Sequence, residues 1–194
     1  MKSKALIELL SDGQVHSGAA LAEKLGVSRT AIWKQIRRAM EEGADIATIR
    51  GRGYQLVSRV DLLDRARVLR EIAAGREQEL SLTVLDEVDS TNAEVIRQIN
   101  AGSKGVPVAI ADCQTSGRGR RGRVWQSPRG ENLYLSMGLT FHGGFGVLDG
   151  LSLVLGVAVA NALERLGVPE VGLKWPNDIF LPDGKLGGIL VELQ

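Results

Sequence analysis

Two segments of helical periodicity meet across a turn of only two residues, Gly26-Val27, and that spacing constrains the first third of the chain more than any other feature. Ser17 is placed to cap a short helix through Leu25, with Leu21 and Leu25 inward. Ser28 caps a longer helix that runs to about Glu42 before Gly43. Upstream, Ala5, Leu6, Leu9 and Leu10 form an apolar stripe at helical spacing that ends at Asp12-Gly13. Two helices joined so tightly make a helix-turn-helix. Two short β-like runs follow, Ile46 to Arg50 and Tyr54 to Val57, around Gly51-Arg52-Gly53. A hairpin with a basic glycine tip in that place is the wing of a winged helix.

The second of these helices divides into two faces. Ile32, Ile36 and Ala39 fall on one side, and Thr30, Trp33, Lys34 and Arg37 on the other. The polar face can enter a DNA major groove, with Arg29, Arg38 and Arg52 placed to reach phosphates. Charge is distributed to match. Residues 1–59 carry ten Lys/Arg against six Asp/Glu, whereas residues 60–194 carry fourteen against seventeen. A basic module precedes a near-neutral one, although the whole chain is only +1. A solvated face used for protein contacts is the alternative.

Beyond about residue 60 the pattern changes. Ser58 to Leu62 has the composition of a short linker, and helical pattern is expected over Leu62 to Ala74 and Thr91 to Ala101. Strands are expected at Leu80 to Val88, Val106 to Ala111, Leu133 to Phe141, Val171 to Trp175, Asp178 to Leu181 and Leu186 to Leu193, with a tight turn at Pro182-Asp183-Gly184. Leu151 to Leu166, apolar almost throughout its first half, reads as a helix packed inside the domain. This order specifies an α+β fold: a winged helix-turn-helix over residues 1–60, then a mixed, largely antiparallel sheet domain over residues 61–194. The last strand runs to the end with no closing element, so the second domain is expected to be incomplete. No run of eighteen apolar residues occurs and Met1 to Leu10 lacks the features of a signal peptide, so a cytoplasmic protein without membrane contact is expected. Cys113 is the lone cysteine, which excludes an internal disulfide framework or a cysteine-rich metal site.

Three segments carry chemistry. Ser116 to Arg123 contains three glycines and four arginines, followed by Val124-Trp125. Such a loop lets backbone N–H groups approach a ligand and offers planar donor forks to phosphate; a basic linker or RNA-binding segment has similar composition. Lys174-Trp175-Pro176-Asn177-Asp178-Ile179 precedes Lys185-Leu186-Gly187-Gly188-Ile189-Leu190, where a glycine pair in an apolar strand points to close passage of a ligand. Glu87-Val88-Asp89-Ser90-Thr91-Asn92 turns from a strand into a helix N-terminus, where Ser90 and Thr91 either cap the helix or hold a polar ligand group.

Asp89-Ser90-Thr91-Asn92, Gln114 with the arginine loop, Lys174 to Asp178 and Lys185 to Glu192 together, in this order and separation, resemble the biotin protein ligase family. The winged helix in front resembles the bifunctional members that also act as biotin operon repressors. The resemblance implies activation of biotin with ATP to biotinyl-5′-adenylate, with Mg²⁺ accompanying the nucleotide. Transfer to a lysine of the biotin carboxyl carrier protein of acetyl-CoA carboxylase follows. It also implies repression as a homodimer on operator DNA, with the adenylate as corepressor. Residue by residue, Ser90, Thr91, Asn92, Gln114, Arg118, Gly119, Arg120 and Lys185 would contact biotin. Arg118, Arg121, Trp125 and Asn177 would contact the adenylate, and Lys185, Arg118 and Arg120 would be catalytic. The DNA-contacting set would be Arg29, Thr30, Trp33, Lys34, Arg37 and Arg52, with no protein metal site. Family members continue further, with more of the central sheet and a small C-terminal β-barrel. A pure transcription factor with a small-molecule sensor domain, and a lipoate ligase or octanoyl transferase, are the competing functions.

Overall fold

The computed structural model describes residues 2–58, 60–71, 80–142, 145–148 and 150–193, of which Lys2, Ser3, Phe145 and Val147 as backbone only. The chain forms two compact units, residues 1–118 with 122–139, and residues 119–121 with 140–194.

In the first unit, helices α1 (Lys2–Leu10), α2 (Gly18–Leu25) and α3 (Arg29–Glu41) form where the spacing places them. Ser17 Oγ accepts from Ala20 N at 3.1 Å and Ser28 Oγ from Ala31 N at 3.1 Å, each cap contributing about 1 kcal/mol. Gly26, in the left-handed region, ends α2 and makes the tight turn possible. Leu6, Leu10, Leu21, Ile32 and Ile36 are buried together with Leu56 at the end of the hairpin. Each contributes about 1.5–3 kcal/mol by burial, so truncating Ile36 to Ala breaks this core by about 2–5 kcal/mol.

The hairpin consists of β1 (Ile46–Ile49) and β2 (Gly53–Leu56). His16 and Tyr54 exchange backbone hydrogen bonds, each 2.9 Å, so the segment before α2 adds a third line to the wing. Gly53 permits this approach, because a methyl there would stand 2.0 Å from His16 O.

The same unit continues through α4 (Arg65–Glu71) to a three-stranded sheet of β3 (Leu80–Leu85), β4 (Val106–Ala111) and β5 (Tyr134–Met137). β3 and β4 are parallel and β4 and β5 antiparallel, with α5 (Thr91–Asn100) as the crossover. Val108 to Ala111 are buried, as the apolar run requires. Residues 72–74, where helix was also expected, and Arg59 of the linker lie outside the described residues.

Ionic contacts join the winged helix to the sheet. Lys4 of α1 lies 2.7 Å from Asp86 and 3.6 Å from Asp112. Arg38 of α3 lies 3.5 Å from Glu87, and Arg129 lies between Glu87 at 2.9 Å and Glu42 at 3.6 Å. Asp112 also accepts from Leu63 N at 2.8 Å, fixing the connecting segment. Burial pushes the Asp112 carboxyl above the usual carboxylate range.

The second unit holds α6 (Leu151–Arg165) and an antiparallel sheet of β6 (Gly172–Lys174), β7 (Asp178–Leu181) and β8 (Gly184–Gly188). Two expectations are corrected here. The last strand starts at Gly184 and stops at Gly188, not at Leu193, because its partner β7 begins at Asp178 and the last rung of the ladder is Ile189 N to Asn177 O. Helix α6 is not packed all round: Gly156 and Ala160 are buried, whereas Leu153, Val154, Val157 and Val159 are exposed. Three short strands cover one stripe of a helix, and the rest of its apolar circumference exceeds them.

Candidate functional site

The C-terminal ends of the parallel strands β3 and β4 deliver the first cluster. Past β4, Gln114 pairs with Val88 in a parallel bridge, and Thr115 N and Ser116 N donate to Val88 O and Asp89 O, each at 2.8 Å. This extension carries the Gln114 side chain to the N-terminus of α5. Gln114 Oε1 accepts from Thr91 N at 2.8 Å and from Thr91 Oγ1 at 3.0 Å. The first turn of the helix thus receives its acceptor from a neighbouring strand. Ser90 precedes the helix but makes no side-chain cap bond, which removes the capping alternative for it.

Ser136 on β5 closes the cluster from the other side. Its Oγ lies 2.8 Å from Thr91 Oγ1 and contacts Asn92 Oδ1. Gln114 Nε2 donates to Ser127 Oγ at 3.1 Å, which in turn donates to Trp125 O at 3.3 Å. Thr91 and Ser136 are buried and Asn92, Gln114 and Ser127 half-buried, so this is a satisfied, partly buried polar network. Ser136 and Ser127 were missed in the sequence. On β5, Tyr134 and Ser136 point inward, whereas Leu135 and Met137 are half exposed. A serine at an inward position is the signal, but alternation alone does not say which face is inward.

Asp89, beside this network, accepts two hydrogen bonds from Arg97, at 2.8 and 3.0 Å. The Arg97 guanidinium, with the Ser90 N–H, holds the Asp89 carboxyl down to about 2.

The arginine loop springs from this cluster. Trp125 N donates to Gly117 O at 2.9 Å and Arg118 pairs with Val124, so the base of the loop is a closed ladder. Gly117 is required by close approach: a methyl there would stand 2.6 Å from Trp125 O, 2.7 Å from Ser127 Oγ and 3.2 Å from Gln114 Nε2. Arg121 at the tip has φ 59°, uncommon for a residue with a side chain.

In the second unit Arg120 Nη1 donates to Asn177 Oδ1 at 3.0 Å, and Asn177 Nδ2 donates to Ile189 O at 3.1 Å. Lys185 on β8 is ion-paired with Asp178 on β7 at 2.7 Å. A methyl on Gly187 would meet only Ile179 at 3.9 Å, so protein packing does not demand that glycine. The structure therefore brings together Thr91, Asn92 and Gln114 in one unit, and Arg120, Asn177 and Lys185 with its carboxylate partner in the other. Arg118 and Trp125 belong to the first unit, and Gly119 and Arg121 to the second.

On α3, Arg29, Thr30, Trp33, Lys34 and Arg37 are exposed, as is Arg52 on the wing. Arg38, expected to reach phosphate, is ion-paired with Glu42 at 2.5 Å and lies 3.5 Å from Glu87. Among the described residues no group of three or more His, Cys, Asp or Glu could hold a metal ion. None of their helices is long and apolar enough to cross a membrane.

Comparison with known proteins agrees with both halves of this arrangement. Residues 81–194 match the biotin/lipoate A/B protein ligase family and residues 2–55 match a helix-turn-helix domain family. The chain is 45% identical over 188 residues to the bifunctional ligase/repressor BirA of Salmonella typhimurium and equally to that of Escherichia coli. Those matches cover 97% of this chain but 57% of the relatives' length. Among solved structures, biotin protein ligase from Leishmania major in complex with biotinyl-5-AMP matches with TM-score 0.50 and 35% identity, over 58% of this chain and 52% of that one. Biotin acetyl coenzyme A carboxylase synthetase from Helicobacter pylori, with bound biotinylated ATP, matches with TM-score 0.50 and 29% identity, over 58% and 55%. The chain belongs to the biotin/lipoate A/B protein ligase family, carrying a helix-turn-helix domain ahead of the ligase fold.

Proposed function

We propose that the protein represented by this chain is a biotin protein ligase that also represses transcription, with a division near residue 60 between its DNA-binding and ligase domains. The observation that carries the ligase reading is the partly buried network of Thr91, Asn92, Gln114 and Ser136 at the root of the arginine loop. Biotin offers a ureido head whose carbonyl accepts and whose two N–H groups donate, and hydroxyl and amide side chains answer both needs. Lipoate or octanoate has no such head. A group that exchanges its internal partner for the ureido head keeps a hydrogen bond, whereas one displaced by an apolar analogue is left unpaired at a cost of about 1–3 kcal/mol. That favours biotin over the lipoate and octanoyl chemistries of the wider family.

In this reading the biotin carboxylate attacks the α-phosphorus of ATP, the bond to the β-phosphate oxygen breaks, and pyrophosphate leaves. The carrier-protein lysine then attacks the acyl carbon of biotinyl-5′-adenylate and AMP departs. Arg118, Arg120 and Lys185 act electrostatically, as fixed cations on the developing phosphoryl charge. Lys185 must exchange Asp178 for the substrate to do so. Gly119 lets the loop backbone close on biotin, while Arg121, Trp125 and Asn177 hold the adenylate. Mg²⁺ would accompany ATP and neutralise charge on its phosphates, a role that calls for few protein carboxylates.

The repressor arm assigns operator DNA to Arg29, Thr30, Trp33, Lys34, Arg37 and Arg52, in a cytoplasmic protein that binds as a homodimer with the adenylate as corepressor. The exposed cationic face of α3 supports it. Biotin-dependent exchange of pyrophosphate into ATP, with lipoate as control, tests the ligase arm. Exchange with lipoate alone would overturn it. Alanine at Trp33 and Lys34 together abolishes operator binding and leaves that exchange intact; equal loss of both contradicts the repressor arm.

A further inference from the structure

Arg37 and Arg38 are neighbours in α3, and the structure gives them opposite directions. Arg38 is engaged with Glu42 and Glu87, on the side of the ligase sheet. Arg37 lies on the exposed face, its guanidinium carbon 5.2 Å from the centroid of the Trp33 ring, one helical turn earlier. Trp33 is 48% exposed and outside the winged-helix core, so packing does not explain an indole there. The exposed side chains around it, Arg29, Thr30, Lys34 and Arg37, include no carboxylate, which makes this surface complementary to a polyanion.

We propose that Trp33 is a platform that fixes Arg37 for bidentate donation to a guanine in the major groove, so this pair determines sequence specificity and not only affinity. This deepens the DNA-binding reading above and rests on it. Stacking occupies the face of a guanidinium, whereas the guanine O6 and N7 acceptors are met by its edge. The two interactions are therefore compatible in one geometry. A lysine has no plane to stack and no fork to present, so it could not replace Arg37 in this role. A phosphate contact needs no such fixed plane, since any cation serves there.

The test uses the intact protein with biotin and ATP, and a pool of duplexes with a randomised core. After enrichment, each guanine of the recovered site is replaced in turn by 7-deazaguanine, which keeps base pairing but removes the N7 acceptor. Wild type loses roughly tenfold in affinity at one guanine per half-site. Arg37→Ala, Arg37→Lys and Trp33→Ala bind the unmodified site more weakly and lose that sensitivity, whereas Trp33→Phe, which keeps an aromatic face, retains it. Enrichment without a sensitive guanine overturns the inference, and so does an Arg37→Ala variant that keeps the sensitivity. A uniform loss across sequences with a shallower salt slope also overturns it, by marking Arg37 as a phosphate contact and leaving DNA binding itself standing. No enrichment at all overturns this inference together with the DNA-binding reading.

Discussion

Arg129 donates to Glu87 at 2.9 Å while its Nε lies 3.6 Å from Glu42, so one buried guanidinium ties the end of α3 to the strand end that leads to Thr91. Its side chain is 3% exposed, and its two carboxylate partners are only partly so. Removing it takes the buried cation from two partly buried carboxylates and leaves them only the more exposed Arg38. Arg129→Met is expected to lower the unfolding free energy by about 3 kcal/mol, at the lower end for a buried pair because the carboxylates keep some water. Urea denaturation measures it, and a loss under about 1 kcal/mol would show the joint to be only a surface contact.

Gly117 is set by contact, not by backbone angle. Gly117→Ala pushes a methyl against Trp125 O and Ser127 Oγ, displacing the base of the arginine loop and the Gln114 amide. Biotin affinity is expected to fall at least about tenfold, since a misplaced donor set of this kind costs more than about 1.4 kcal/mol. Calorimetric titration checks it; unchanged affinity would mean that the loop base takes no part in holding biotin.

Ser136→Ala removes the hydroxyl that meets Thr91 Oγ1 and Asn92 Oδ1. An unmade buried hydrogen bond costs about 1–3 kcal/mol. Both the thermal midpoint and biotin affinity are expected to drop, and Ser136→Thr is expected to restore part of each. An alanine variant indistinguishable from wild type in biotin affinity would remove Ser136 from the site.

The Asp89–Arg97 pair gives a pH signature. The folded-state carboxyl of Asp89 sits at about 2 against an ordinary 3.8, so its contribution is complete above about pH 4. It is lost as pH falls through about 2. The stability difference between wild type and Asp89→Asn is therefore expected to shrink steadily from pH 4 to pH 2. It remains small throughout, because both side chains are half exposed. A difference that stayed constant over this range would show that Arg97 does not bias the titration.

Local rules made much of this structure legible. Ser17 and Ser28 cap their helices, and β4 spans Val106–Ala111 as the apolar run specifies. Thr91, Asn92 and Gln114, far apart in sequence, meet because the β3–α5–β4 unit is a local crossover. What escaped depends on partners distant in sequence. Ser136 is inward only because Tyr134 and not Leu135 faces α5 and the core, and strand alternation is symmetric between those choices. Arg129 reads as one more arginine after a basic loop until α3 and the Glu87 strand end close around it. β8 stops at Gly188 because its partner β7 begins at Asp178, a limit that apolar composition through Leu193 conceals.

The central claim is that the network around Thr91, Gln114 and Ser136 holds a ureido head for activation by ATP. Mass spectrometry of the intact protein incubated with ATP and an equimolar mixture of biotin, lipoate and octanoate tests it most directly. The biotin assignment predicts biotinyl-5′-adenylate as the dominant adenylate, lost when Gln114 is replaced by alanine. Lipoyl- or octanoyl-adenylate in its place, with biotin unreacted, would contradict it.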